Sequence, residues 1–170
     1  MKIRSNLTVM CGYRASGRSE YIEDMKKKGI PFKVVSFDET AMKEYDTLVL
    51  TPEEAAAVYV LCVNKIKELI AEGNNIYYDA CNYTKRSRKD MISDIRQFCR
   101  ANAVRCWLST MYFPADKDNC IMKMDTSQRD ATTEENMEVE IPEKIEGWND
   151  ILLYSPKGFK QIKCHTNLIV

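Results

Sequence analysis

One short stretch decides the fold of this chain: Gly12-Tyr13-Arg14-Ala15-Ser16-Gly17-Arg18-Ser19. It matches the phosphate-binding pattern G-x-x-x-x-G-K-S/T at every fixed place except one, because Arg18 stands where the pattern has lysine. Residues 7–11 before it are an apolar run with strand character, and a helix is predicted from Glu20 to Lys28. In this setting the backbone N–H groups of a glycine loop turn inward and bind an anion, assisted by the N-terminus of the helix.

The fixed positions of this loop predict a nucleotide site. Gly12, Ser16 and Gly17 would surround the phosphates, and the Ser19 hydroxyl would bind a magnesium ion. Arg18 would have to reach the β- and γ-phosphates with a planar guanidinium, which is larger than a lysine ammonium and points its donors differently. Nucleotide binding should therefore tolerate arginine in place of lysine more readily than the full catalytic rate does. The alternative is a tight strand-to-helix connection that binds nothing.

The composition indicates one soluble globular domain over residues 1–170. Of these residues 45% are hydrophobic and 29% are charged, and the formal net charge is zero, so a general electrostatic attraction to nucleic acid is not indicated. The seven cysteines have no C-x-x-C spacing and are expected to be free thiols. We see neither a signal peptide nor a membrane-spanning stretch, which favours a cytoplasmic protein without a membrane partner. His165 is expected to be structural, and the oligomeric state is left open.

Strand-like and helical runs alternate along the chain. The predicted strands are Leu7–Cys11, Phe32–Ser36, Ile76–Ala80, Val104–Phe113 and Lys160–Val170. Beyond the helix after the glycine loop, the clearest helices run from Pro52 to Ala71 and from about Arg86 to Asn102. This alternation predicts an α/β fold, a parallel sheet covered by helices on both faces. The polar segment at about 123–146 is expected to be a lid over the nucleotide, or else a solvated acidic loop.

Two aspartates follow predicted strands and are candidates for catalysis. Asp38 comes after the second strand, where a carboxylate points into the ligand crevice and can accept the proton of a substrate hydroxyl. Glu39 competes for this role, and both acids could instead only begin a turn or cap a helix. Asp79 ends the third strand, which predicts that it binds magnesium together with Ser19, through water.

Cations are concentrated in two places. Residues 84–89 include Lys85, Arg86, Arg88 and Lys89, which would bind a nucleic-acid phosphate or line the substrate entrance, or else form a solvated first helical turn. Lys123 and Arg129 flank the start of the polar segment. A cation carried over the phosphates by a closing lid would stabilise developing charge, and the spacing does not choose between these two residues.

Taken together, the motifs resemble the polynucleotide kinase-like branch of the P-loop kinases. The resemblance covers roughly Leu7 to Leu153. Beside the glycine loop it is carried by Ser36-Phe37-Asp38, Tyr78-Asp79-Ala80-Cys81-Asn82 with the basic residues that follow, Phe113-Pro114, Asn119-Cys120-Ile121, and Pro142 with Glu146-Gly147-Trp148-Asn149.

The resemblance implies a five-stranded parallel sheet with a lid, and ATP and Mg²⁺ as nucleotide and metal. It implies transfer of the γ-phosphate to a hydroxyl, typically the 5′-OH of a polynucleotide. Asp38 then matches the general base and Asp79 the strand-end acid, while the lid arginine falls on Lys123 or Arg129. The substrate side is assigned to Asp79, Asn82, Lys85, Arg86 and Arg88.

Three positions depart from the family pattern. The loop lysine is Arg18, the arginine expected three residues after the base falls on Ala41 with only Lys43 nearby, and the first Arg-Asn pair of the lid reads Lys123-Met124. Two alternatives therefore stay open beside a polynucleotide kinase. One is a kinase for a nucleoside, a small molecule or a hydroxymethylated base in DNA, and the other is a degenerate relative without catalysis. No D-x-D-x-T pattern occurs, so phosphatase activity is not expected.

Overall fold

Strands and helices alternate as the sequence predicts. The computed structural model describes residues 4–126, 128 and 138–154, and the backbone of residues 160–162. In chain order the elements are β1 (Arg4–Cys11), α1 (Arg18–Lys27), β2 (Lys33–Ser36), α2 (Phe37–Tyr45), α3 (Pro52–Ala71), β3 (Asn75–Asp79), α4 (Lys85–Ala101), β4 (Arg105–Tyr112), α5 (Lys117–Lys123), a 3-10 turn (Lys144–Glu146), β5 (Asp150–Leu153) and β6 (Lys160–Ile162).

The strands form one sheet in the order β2-β3-β1-β4-β5-β6. The first five are parallel, and β6 pairs antiparallel with β5. In the centre, Leu7 of β1 pairs with Ile76 of β3 on one side and with Leu108 of β4 on the other. Because the parallel strands point the same way, the loops that follow β1, β2 and β3 meet at one edge of the sheet, where ligands bind in open α/β folds.

Helices cover both faces of the sheet, which confirms the predicted fold class. Leu7 and Val9 of β1 pack on one face against the buried sides of α3 and α4. Met10 directly follows Val9 in sequence, and it packs on the opposite face with Tyr21 and Ile22 of α1. This alternation follows from the two-residue period of a strand, and it requires an apolar layer on each side.

Local sequence explains where the longest helix begins. Thr51 accepts a hydrogen bond from the backbone N–H of Glu54, and the Glu54 carboxylate accepts one from the backbone N–H of Thr51. Pro52 occupies the first position of α3, where its missing N–H costs nothing. Such a capping box contributes on the order of 1 kcal/mol to helix stability. The predicted bounds of this helix are confirmed.

Two helices and one strand were not expected from periodicity. α2 and α5 are short, and β5 is a four-residue strand that starts with the polar Asp150. The strand predicted at Lys160–Val170 appears as the antiparallel β6 over residues 160–162. Its remainder, with His165 and Cys164, lies outside the described residues. The fifth parallel strand is therefore β5, and the terminal strand is added beside it.

Two further features of the described part of the chain concern its cysteines and the character of its helices. There, the cysteines at positions 11, 62, 81, 99, 106 and 120 are free thiols. No helix in it is both long enough and apolar enough to cross a bilayer.

Candidate functional site

The glycine loop between β1 and α1 is closely packed. A Cβ atom on Gly12 would lie 2.9 Å from the Ser16 Oγ and 3.0 Å from the Cβ of Phe113, so only glycine fits. Gly17 has φ 102°, in the left-handed region that favours glycine. The Gly12 N–H donates to the carbonyl of Cys81 at 3.1 Å, which holds the loop against the end of β3.

The N-terminus of α1 is prepared for an anion. The other four α-helices in the described part each begin with a side chain that accepts a hydrogen bond from the first turn: Ser36, Thr51, Thr84 and Asp116. α1 begins with Gly17, which makes no side-chain cap. Because the first N–H groups of a helix need an acceptor, this helix end offers its donors and its positive dipole to a ligand.

Arg18 is held in place beneath the loop. Its side chain is buried, Nη1 donates to the carbonyl of Gly12 at 2.5 Å, and Nε lies 2.9 Å from Oδ1 of Asp79. Neither Nε nor Oδ1 has an aligned hydrogen bond, so Arg18 and Asp79 form an ion pair through proximity alone. Burial lowers the pKa of Arg18, but Cys81 and Asp79 raise that pKa by more, so the guanidinium stays charged.

Asp38 lies in the first turn of α2, where Ser36 caps the helix through the N–H of Glu39. Its Oδ1 accepts a hydrogen bond of 2.8 Å from Nη2 of Arg14 in the glycine loop. The sequence placed Asp38 near the strand edge but gave no signal for Arg14, which occupies a variable position of the pattern. The structure thus adds a second arginine to the site.

A cleft of about 520 Å³ opens beside these groups. Ser19 and Asp79 line one part of it together with Ser36 and Glu39. Glu39 is therefore the acid that faces the cleft directly, while Asp38 is paired with Arg14. Both acids predicted to compete for the role of base lie at this edge of the sheet.

The oxygen atoms at this edge fit a magnesium ion. Ser19 and Asp79 line the same cleft, and the buried Oγ of Ser16 has no hydrogen-bond partner, while the Oδ1 of Asp79 is ion-paired with Arg18. Mg²⁺ prefers oxygen ligands and usually keeps waters and substrate phosphates in its shell. The described residues contain no group of three or more His, Cys, Asp or Glu side chains that could hold a metal ion.

Arg88 does not reach the substrate entrance predicted for it. The side chain is fully buried, and all its donors are used within the protein. Nε and Nη2 donate to the two carboxylate oxygens of Glu146 at 2.7 and 2.9 Å. The remaining N–H groups donate to the carbonyls of Asn82, Tyr83 and Glu140. Its role is to hold the turns around the site rather than to bind a ligand.

Asn82 also has a structural position. Its side-chain amide donates to the carbonyl of Met10 at 2.7 Å and to that of Ala80 at 3.2 Å. Its φ of 51° lies in the left-handed region, which asparagine tolerates better than most residues. This side chain joins the end of β3 to the end of β1. Its amide N–H groups are used by backbone carbonyls rather than offered to a substrate, the contact predicted from the sequence.

The remaining cations lie nearer the surface. Lys85 forms an ion pair of 2.7 Å with Glu143, while the exposed Arg86 and Lys89 line a shallow cleft with Glu140. Lys123 is exposed at the end of α5. Arg129, its competitor as lid cation, lies outside the described residues, so the choice between them and the lid at about 123–146 stay predictions.

Tyr13 connects the glycine loop to residues 138–139. The Tyr13 hydroxyl donates to Glu138 at 2.9 Å and accepts from the N–H of Val139, so residues 138–139 lie beside the loop. These contacts with Tyr13, and Lys117, lower the pKa of Glu138. Ala41, where the family pattern has arginine, is fully buried in the core on the α3 side of the sheet.

The chain is similar in structure to several solved proteins. A chain of the Pnkp1/Rnl/Hen1 complex gives a TM-score of 0.61 at 16% identity, covering 82% of this chain and 47% of that one. The APS kinase CysC of Mycobacterium tuberculosis, in complex with AMPPNP and APS, gives 0.51 at 14% identity, with 71% and 68% covered. This is the P-loop kinase fold.

A third similar structure of this P-loop kinase fold is Kti12 of Chaetomium thermophilum in complex with ADP-AlF3. It gives a TM-score of 0.55 at 14% identity and covers 88% of this chain and 89% of that one. The chain spans about half the length of its match in the Pnkp1/Rnl/Hen1 complex. No protein-family model matches the sequence, and no curated protein matches it.

The buried position of Arg88 predicts a large effect on stability. We expect Arg88→Ala to lower the free energy of unfolding by about 3–5 kcal/mol, because it leaves the Glu146 carboxylate buried without its partner. Urea denaturation followed by circular dichroism measures the change. Arg86→Ala, on the same helical turn but exposed, is the matched control and should stay within about 0.5 kcal/mol of the parent. Equal effects of the two substitutions would contradict the structural role.

Proposed function

We propose that the protein is an ATP-dependent phosphotransferase that moves the γ-phosphate to a hydroxyl, most simply the 5′-OH of a polynucleotide. One observation carries the proposal: an uncapped helix N-terminus behind a glycine loop lies at the same sheet edge as Asp38 and Asp79. Phosphoryl transfer requires a phosphate cradle, a metal site, a base and cations, and each has a candidate there.

In the proposed mechanism, the loop from Gly12 to Gly17 and the first N–H groups of α1 bind the polyphosphate. Arg18 supplies a fixed positive charge beneath it. Ser19 and Asp79 would hold Mg²⁺, which when bound neutralises charge on the phosphates. Asp38 accepts the proton of the acceptor hydroxyl. The hydroxyl oxygen bonds to the γ-phosphorus, and the bond between the γ-phosphorus and the β–γ bridging oxygen breaks, so that ADP leaves. Lys123 or Arg129 would close over the transferring group.

A nucleic-acid acceptor is supported by the motifs that resemble polynucleotide kinases. It is also supported by similarity to a chain of the Pnkp1/Rnl/Hen1 RNA repair complex, at a TM-score of 0.58 and 17% identity over 70% of this chain and 36% of that one. The exposed Arg86 and Lys89, with Lys85, would contact the acceptor's phosphates.

A smaller acceptor is the second candidate. Neither Arg88 nor position 41, where the family pattern has arginine, offers a guanidinium to a ligand, because Arg88 is used internally and position 41 is a buried alanine. The zero net charge also favours a nucleoside, a small molecule or a modified base in DNA. The acceptor therefore has to be identified by measurement.

ATP binding is the first test of the proposal. Titration of the folded protein with ATP in the presence of magnesium should give saturable binding, and labelled ATP should pass its phosphate to at least one acceptor. The acceptor panel contains 5′-hydroxyl DNA and RNA, DNA with hydroxymethylated bases, and nucleosides. Saturable binding without transfer would support the degenerate relative, and absence of binding would refute the nucleotide site altogether.

The base is tested by a pair of neighbouring substitutions. Asp38→Asn should lower turnover by roughly 10²- to 10⁴-fold, because it removes the proton acceptor, and should leave ATP affinity nearly unchanged. Glu39→Gln tests the competing candidate, since Glu39 follows directly on the same helical turn and lines the cleft. Turnover at labelled-ATP saturation and ATP affinity are measured for both. If the large loss follows Glu39→Gln instead, the role of base passes to Glu39.

Arg18 is tested by restoring the lysine of the common pattern. We expect Arg18→Lys to reduce transfer by about tenfold or more, because an ammonium cannot contact the Gly12 carbonyl and Asp79 as the guanidinium does. Steady-state rates and ATP affinity are the measurements. A rise in activity from an inactive parent would mean that arginine impairs this site, which would favour the degenerate relative.

A further inference from the structure

Arg14 connects the phosphate loop to the proposed base. We propose that Arg14 is a positioning residue that fixes the Asp38 carboxylate for turnover, an inference that rests on the proposed function. Its Nη2 donates to Oδ1 of Asp38 at 2.8 Å. This ion pair joins the glycine loop to the first turn of α2 through two charged side chains.

The path of this side chain is informative. Arg14 belongs to the loop that follows β1, and Asp38 belongs to the turn that follows β2. In the sheet, β3 lies between these two strands and ends at Asp79. The Arg14 side chain therefore spans the end of β3, from the loop proposed to bind ATP to the aspartate proposed to face the phosphate acceptor. The guanidinium lies between the phosphate cradle and the carboxylate that is to receive the proton.

Burial gives this contact its strength. The Arg14 side chain is 11% exposed and the Asp38 side chain 35% exposed, so the arginine is shielded while the carboxylate stays open to an acceptor. A charge-assisted hydrogen bond is about twice as strong as a neutral one and has a defined direction. Among the described residues, Oδ2 of Asp38 accepts no hydrogen bond, which leaves this oxygen for the acceptor hydroxyl.

This arrangement predicts which step Arg14 affects. The rate of transfer depends on holding the reacting groups in the productive geometry, and an error of about 1 Å in a positioning contact can cost about 10²-fold. ATP affinity depends mainly on the loop backbone and the N-terminus of α1. Loss of Arg14 should therefore lower kcat, while the Kd of ATP changes little.

The test is a double-mutant cycle with Arg14→Ala, Asp38→Asn and both together, measured as kcat and as ATP Kd on the best acceptor. We expect Arg14→Ala to lower kcat by about tenfold to a hundredfold, with a change in ATP Kd below about threefold. In the Asp38→Asn background the same substitution should have no further effect, since no carboxylate remains to be positioned. Arg14→Lys should restore part of the rate because it keeps a charged donor.

Controls separate positioning from folding. Arg100→Ala, an exposed arginine at the end of α4, should leave kcat at the parental value. Thermal unfolding identifies a variant that fails to fold, in which case Arg14→Gln, which keeps most of the length, replaces Arg14→Ala. An unchanged kcat in the Arg14 variant overturns the inference, and so does an equal loss of rate in both backgrounds. If the parent protein is active, either of these results overturns the inference about Arg14 and leaves the proposed function standing. If the parent protein transfers no phosphate, the inference and the proposed function are both overturned.

Discussion

The buried ion pair between Arg88 and Glu146 is the constraint on which the rest of the site depends. The guanidinium uses every donor it has, and its partners come from the 3-10 turn, from the segment at Asn82 and Tyr83, and from Glu140. Asn82 directly follows Cys81, whose carbonyl accepts a hydrogen bond from the Gly12 N–H of the glycine loop. A charge that is buried and fully hydrogen-bonded can adopt few arrangements, because every alternative leaves a polar group unsatisfied. Arg88 thereby fixes the 3-10 turn, Glu140 and the residues after β3 relative to one another.

Above this support, the charges of the site are arranged in pairs. Arg18 faces Asp79 beneath the loop, and Arg14 faces Asp38 at its side. Each arginine is paired with a carboxylate, so the formal charges of these four side chains sum to zero. An incoming polyphosphate would meet backbone N–H groups and two oriented guanidinium groups rather than mobile lysines, which reduces the reorganisation needed on binding.

The sequence predicted the features whose signals lie within a few neighbouring residues. It did not predict the contacts between residues that are far apart in sequence. The glycine loop and the long helix α3 have their signals within a few residues, so their positions were predictable. The position of Asp38 followed from the rule that ligand groups lie at strand ends. By contrast, Arg88 and Glu146 are 58 residues apart, and nothing in either neighbourhood marks them as a pair. Arg14 was missed for the same reason, since its partner is chosen by the order of the strands.

The contact of Tyr13 with residues 138 and 139 has a thermodynamic consequence. Its hydroxyl donates to Glu138 and accepts from the Val139 N–H, so the conformation of the loop and that of this segment are energetically linked. Linkage between two sites is reciprocal. If the loop binds a polyphosphate, as proposed, any gain in its affinity from this position of residues 138–139 implies an equal gain, when the loop is occupied, for a partner that binds those residues in the same position.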